Sequence, residues 1–310
     1  MELQQMRYVI AVAETGSFTR AAERCLVVQS ALSHRIARLE RELGARLFDR
    51  TSRRVRLTPA GEAFLPAARA SLEAADRAGA EVAATVGEVR GRLAVGVIPT
   101  VAAVDVPAAL RRFHRRHPHV RVSLRMGASD ELADQVRERA LDVAFLGLPT
   151  MVRPRGVAAR ELAQDRLVAL VAPDHPLAGE GLVTLKRLTS EVFVDFPAGT
   201  AGRVQTDQAF ATAGLDRDVA FEVSSADFTV PLVASGLGVA MMPSAYAPRL
   251  AGVVAVTVAD APERVEYLVW AASAATPAAT AFLSVVTGAG PARPADVAAR
   301  DERRGPPSRS

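Results

Sequence analysis

The sequence predicts an α/β protein built in three parts: an N-terminal winged helix-turn-helix, a linker helix and a two-lobed α/β domain. Three observations predict it. Positive charge gathers in the first 58 residues, where 11 Arg face 6 Asp and Glu for a net of +5. Apolar residues in that segment recur at helical spacing, broken by glycines and a short turn. From Arg92 onward, apolar strand-like runs alternate with amphipathic helical ones. A length of 310 residues exceeds the ~250–300 at which single cores stop growing, so more than one domain is expected. Aromatics make up 5%, too few for a platform that stacks single-stranded bases. A single cysteine, Cys25, excludes an internal disulfide and a CxxC-type zinc site.

The first helix is read from Leu3, Met6, Val9, Ile10 and Ala13, and Gly16 ends it. Ser17 is placed to cap a second helix, Thr19 to Cys25, whose Ala21 and Ala22 let another helix approach closely. After the turn Leu26–Val28, a third helix is predicted over Gln29–Leu43, with Leu32, Ile36, Leu39 and Leu43 as its apolar stripe and Gly44 as terminator. Two helices joined by a tight turn make a helix-turn-helix, whose second helix enters the major groove by its N-terminal end. With the stripe inward, Gln29, Ser30, Ser33 and His34 point outward at that end. These are side chains able to exchange hydrogen bonds with base edges. Leu47–Phe48 and Val55–Leu57 are expected to pair as a wing whose tip carries Arg53 and Arg54 for phosphates or a narrow minor groove. Double-stranded DNA is the partner this basic segment fits.

These residues resemble the winged helix-turn-helix of LysR-type transcriptional regulators, without a gap from Met1 to about Arg69. The most specific matches are Gly16-Ser17-Phe18, Ala21-Ala22, Ala31-Leu32-Ser33, Leu39-Glu40, Leu43-Gly44, Leu47-Phe48 and Leu57-Thr58-Pro59-Ala60-Gly61. The coarser pattern continues to about residue 288. Departures from the family pattern matter for chemistry. The family usually has Ser-Gln-Pro where this chain has Val28-Gln29-Ser30, and commonly Arg where it has His34. Valine cannot cap a helix through its side chain, and His34 lacks the bidentate fork that reads guanine.

A linker helix is read over residues 59–89. Thr58 caps it, Pro59 takes its first position, and Leu65, Ala68, Leu72, Ala75, Gly79, Val82, Val86 and Val89 fall at three- and four-residue spacing. Pro66 is expected to kink it. A single helix packed on its own domain fits the same spacing. The resemblance implies instead a dimerising helix, in a homodimer or homotetramer.

Over 90–288 the predicted strands are RLAVGVI, VRVSLRM, LDVAFLG, DRLVALVAP, EVFVDFP, VAFEVS, GVAMMP and Val265–Ala272. The helices between and after them are Val106–Arg116, Asp130–Ala140, Arg203–Ala213, Phe228–Ser235 and Ala278–Val286. Largely parallel sheets are expected. Lobe one is placed at 90–162 plus 266–288 and lobe two at 163–265, a fold the resemblance makes periplasmic-binding-protein-like. The cleft between lobes is the place for a ligand. Strand-to-helix junctions favour anions, which singles out Thr100, Ser129 and Thr200, with Phe196 and Phe228 as apolar walls. The resemblance places effector contacts at the same junctions, although Ala128 stands where many members have Thr. A small organic anion is the expected effector.

Other features carry less. His114, His117 and His119 span a helix end and a new strand without a completing carboxylate or thiol, so no metal is expected. Arg111, Arg112, Arg115 and Arg116 read as a solvated helix face, and Cys25 as an inert thiol among apolar neighbours. The charge-free stretch Tyr267–Ala292 is rich in Ala, Ser, Thr and Gly and holds Pro277, so it reads as a strand and a capped helix rather than a membrane span. No nucleophile–base motif, P-loop or dinucleotide fingerprint appears, so neither an enzyme nor a cofactor is expected. Residues 289–310 read as a disordered tail. MELQQMRYVI lacks a signal-peptide pattern, which points to the cytoplasm. The expected function is DNA-binding transcriptional regulation modulated by a small effector, with transcription machinery a further partner. The alternative is a small-solute-binding module without specific DNA function.

Overall fold

A computed structural model describes residues 1–50, 55–273 and 275–288. The chain divides into two compact units, Met1–Gly87 and a second that begins at Glu88.

In the first unit, α1 (Leu3–Thr15) ends at Gly16, whose φ of 62° is the left-handed conformation that glycine adopts at no steric cost. Ser17 caps α2 (Phe18–Arg24), accepting from the Arg20 amide. The third helix, α3 (Gln29–Leu43), has Leu32, Ile36 and Leu39 fully buried, while Leu43 is exposed and stands outside the stripe expected of it. Strands β1 (Phe48–Arg50) and β2 (Val55–Leu57) pair antiparallel, Phe48 opposite Leu57. Glu40 fixes where the wing begins, because its carboxylate accepts from the Leu47 and Phe48 amides at 2.8 and 3.3 Å. The long helix α4 (Pro59–Thr85) runs through Pro66. Thr58 caps it and donates to the Arg46 carbonyl at 2.6 Å. At Gly61 a Cβ would stand 2.1 Å from the Leu47 carbonyl oxygen, so only glycine lets α4 start against the wing. One core joins these pieces: Val9, Val12, Phe18, Ala21, Leu32, Ile36 and Phe48 pack together, with Phe64 of α4 against them. Burying a leucine- or phenylalanine-sized side chain of this kind stabilises by roughly 1.5–3 kcal/mol.

The second unit opens with β3 (Gly91–Val97), α5 (Val106–Arg116), β4 (Val120–Met126), α6 (Ser129–Arg137) and β5 (Val143–Pro149). The chain then enters a 14-residue strand, β6 (Ala158–Val171). There follow β7 (Leu182–Val183), α7 (Leu185–Leu188), β8 (Val192–Asp195), α8 (Ala201–Thr212), β9 (Asp218–Glu222), α9 (Ala226–Ala234), β10 (Ala240–Pro243) and β11 (Val254–Val258). It closes with β12 (Glu263–Trp270) and α10 (Pro277–Thr287), which Thr276 caps and Gly288 ends.

The main sheet runs β4-β3-β5-β12-β6-β11-β7, with β10 also on β6; β8 and β9 pair separately. Pairing is parallel at β3–β4, β3–β5, β7–β11 and β8–β9. It is antiparallel wherever β12 meets β5 or β6, and wherever β6 meets β10 or β11. The largely parallel sheet expected from alternation is therefore a mixed one, because β6 and β12 are return strands that alternation does not describe. β6 serves both lobes: its first half pairs with β12 and its second with β10 and β11. The charge-free stretch after Tyr267 is strand and short helix, and no described helix is long and apolar enough to cross a membrane. Residues 289–310 lie outside the described residues.

Candidate functional site

Two surfaces concern function, one in each unit. In the first, the N-terminal end of α3 presents Gln29, Ser30 and His34 exposed to solvent and Ser33 half-buried. Val28 occupies the N-cap position and makes no side-chain cap bond. The Ala31 amide donates to the Val28 carbonyl at 3.1 Å, and a helix start without a side-chain cap is suited to phosphate oxygens. Arg53 and Arg54, assigned to the wing tip, lie outside the described residues.

In the second unit, a cavity of about 260 Å³ opens at the carboxyl ends of the strands, between the β3–β5 half and the β8–β10 half. Ligands in open α/β sheets bind at such a place. Thr100, Ser129, Phe196 and Thr200 all line it. Phe228 does not: it is 68% exposed. In α9 the residues turned inward are Ala226, Thr229 and Val233, and Phe228 sits on the opposite face. Ser129 does not cap α6 as its sequence position suggests. It is the first residue of that helix, and its hydroxyl donates to the Gly147 carbonyl at 2.9 Å and accepts from the Gly147 amide at 3.1 Å. Ala128 is the N-cap and has no hydroxyl to offer. Thr200 is the N-cap of α8, but its hydroxyl donates to the Pro197 carbonyl instead of accepting from the helix. Two helix starts without a side-chain cap thus border the same cavity.

Arg264 of β12, which the sequence reading did not single out, also lines the cavity, and it is 4% exposed. It donates to Asp165 Oδ1 at 2.9 Å, to Thr100 Oγ1 at 3.0 Å, to the Thr100 carbonyl at 3.1 Å, and to Glu266. Glu266 in turn accepts from the Ala102 and Ala103 amides, so β6, β12 and the loop after β3 meet at one buried cluster. Burial raises the Glu266 carboxyl above the usual carboxylate range, opposed by Arg264 and the two amides. Gly147 lies against this arginine: a Cβ there would stand 2.9 Å from Nη1. On the other wall, Asp195 pairs with Arg217 at 2.7 Å, and Arg217 stacks over Phe193 and Phe210. Burial raises the Asp195 carboxyl against the pull of that arginine.

A model described as the LysR substrate binding domain matches residues 87–290, and one described as the bacterial regulatory helix-turn-helix protein, lysR family, matches residues 3–62. The chain belongs to the LysR family. The HTH-type transcriptional regulator ShiR of Corynebacterium glutamicum (strain R) is 36% identical over 244 residues, 78% of this chain and 82% of that one. The transcriptional dual regulator GltC of Bacillus subtilis (strain 168) is 34% identical over 243 residues, covering 78% and 81%. Among solved structures, full-length CbnR complexed with its target DNA aligns with a TM-score of 0.71 at 28% identity, covering 92% of this chain and 99% of that one. This protein is accordingly a DNA-binding transcriptional regulator of the LysR type with an effector-binding domain, in a family of regulators rather than enzymes. A solute-binding module without DNA function is excluded by the match over the first unit. Among the described residues, no group of three or more His, Cys, Asp or Glu is placed to hold a metal ion.

Proposed function

We propose that this LysR-type regulator reads a two-fold operator through Gln29, Ser30, Ser33 and His34, with Arg53 and Arg54 on phosphate or minor groove. A small organic anion in the cavity beside Thr100, Ser129, Phe196 and Thr200 adjusts that binding. The observation that carries the effector assignment is the pair of helix starts, α6 at Ala128 and α8 at Thr200, neither closed by a side chain and both bordering one cavity. First-turn amides left without intrahelical partners favour negative charge, and two sets facing one space reinforce each other. Arg264 and the Thr100 hydroxyl add donors to the same lining.

The regulator acts in the cytoplasm as a homodimer or homotetramer and meets the transcription machinery on DNA. Support for self-association comes from the end of α4, where Val82 and the C-cap residue Val86 are exposed at the spacing of a helix seam. An effector changes DNA binding only by favouring one arrangement of the lobes over another. The test measures operator affinity of the full-length protein against a panel of small carboxylates. At least one carboxylate should shift it, and Thr100→Val and Thr200→Val should shrink that shift while leaving effector-free affinity unchanged. Shifts of equal size in wild type and both variants contradict the assignment.

A further inference from the structure

At the start of α3 two apolar side chains project into solvent that the fold gives no reason to leave there. Leu26, in the turn between α2 and α3, is 92% exposed, and Val28 is 68% exposed. Leu26 also holds a φ of 54°, a left-handed conformation that branched apolar residues rarely adopt. The turn itself is well made: the Leu26 amide donates to the Glu23 carbonyl at 3.1 Å and the Val27 amide to Ala22 at 3.0 Å. That closure needs a left-handed residue, which glycine or asparagine supplies more cheaply. Val28 is equally misplaced by folding criteria, since the N-cap position rewards Ser, Thr, Asp or Asn and valine leaves the helix start uncapped. Unfavourable choices on one exposed patch, adjoining Gln29 and Ser30, point to a function for the patch.

We propose that Leu26 and Val28 form an apolar edge of the DNA-reading surface that selects thymine through its C5-methyl group. The inference rests on the reading that the N-terminal end of α3 enters the major groove. There, thymine alone presents a methyl group, and apolar side chains contact it. An exposed valine beside Gln29 then supplies a sequence preference that a hydroxyl at the same position does not. What the patch loses in helix capping it regains by removing methyl and side-chain surface from water on binding. On α3 the nearest outward ionisable group is His34, while Glu23 and Arg24 of α2 precede Leu26 and are exposed.

The test uses the full-length protein and a synthetic duplex carrying the site it enriches from fragmented genomic DNA. Each thymine in one half-site is replaced in turn by deoxyuridine, which removes only the methyl group. Wild type should lose affinity about fourfold at one or two thymines, the worth of one buried methyl-sized group. Val28→Ser and Leu26→Asn should bind the thymine and uracil duplexes alike at those positions. Both substitutions are conservative for folding, because each side chain is exposed and each new residue suits its backbone position better. Uniform indifference of wild type to uracil, or an enriched half-site without thymine, overturns the inference. Loss of site preference in Gln29→Ala shows in the same assay that the α3 reading stands. Unchanged preference in both Gln29→Ala and His34→Ala overturns that reading, and the inference with it.

Discussion

Two glycines of α4 should respond to the same substitution with opposite sign. Gly61 lies in the first turn, where a Cβ would meet the Leu47 carbonyl oxygen at 2.1 Å and Leu57 Cδ2 at 2.9 Å. The first contact is to backbone, so relief requires moving β1 or the start of α4. Either movement strains the bond from the Thr58 amide to that same carbonyl, and the cap between Gly61 N–H and Thr58 Oγ1 at 3.0 Å. Overpacking of this kind costs roughly 1–3 kcal/mol and a weakened cap about 1 more, so Gly61→Ala should destabilise by roughly 2–4 kcal/mol. Gly79 lies in the same helix, and a methyl group added there would meet nothing within 4 Å. At that position alanine removes glycine's backbone entropy cost and should stabilise by roughly 1 kcal/mol. The assay is urea unfolding of the full-length chain by far-UV circular dichroism. Fluorescence of Trp270, the single tryptophan, serves as control because it lies on β12 in the other unit. Shifts of equal sign in the two variants would refute the claim that close approach to the wing fixes Gly61.

Three further outcomes are expected. Arg264→Met should destabilise the second unit by roughly 3–5 kcal/mol, because it leaves Asp165 and Glu266 buried without their cation. Adding Glu266→Gln should recover part of that loss, read by Trp270 fluorescence in urea. Burial, with Arg116 beside it, holds the His117 imidazole below its ordinary pKa of about 6.5. The unfolded chain then takes up this proton at higher pH than the folded one, so stability falls as pH drops from about 6.5 through the depressed folded value. His117→Gln should flatten unfolding midpoints across that window. His34→Arg should change the base selected opposite this side chain, and an unchanged enriched motif contradicts the placement of His34 at a base edge.

What the sequence made legible has a physical pattern. Helices α3 and α5 occupy the spans their periodicity predicts, because each buries one face against a nearby partner and bears its own stop signal; strand β4 also occupies its predicted span, although only Val120 of it is buried. Ser17, Thr58 and Thr276 cap as expected, since capping is decided within three residues. Errors arise where a residue answers to something distant. Ser129 has the right position for a cap, yet its hydroxyl is claimed by Gly147, 18 residues on. The first half of β6, AARELAQ, has no apolar alternation and is a strand because β12 pairs with it. Arg264 looks like a surface charge in ERVEYLVW; its partners Thr100 and Asp165 stand 164 and 99 residues away. Phe228 shows the limit of hydrophobicity itself, since an aromatic side chain in an apolar helix faces outward while Thr229 is buried.

The central claim is that the α3 surface reads sequence rather than phosphate charge alone. Fragmented genomic DNA incubated with the full-length protein, then recovered and sequenced at two salt concentrations, tests it most directly. Enrichment of a two-fold site beside a few genes, retained at the higher salt, is the predicted result. Retention spread evenly over the genome and abolished by salt would contradict it, because attraction to phosphate alone behaves that way.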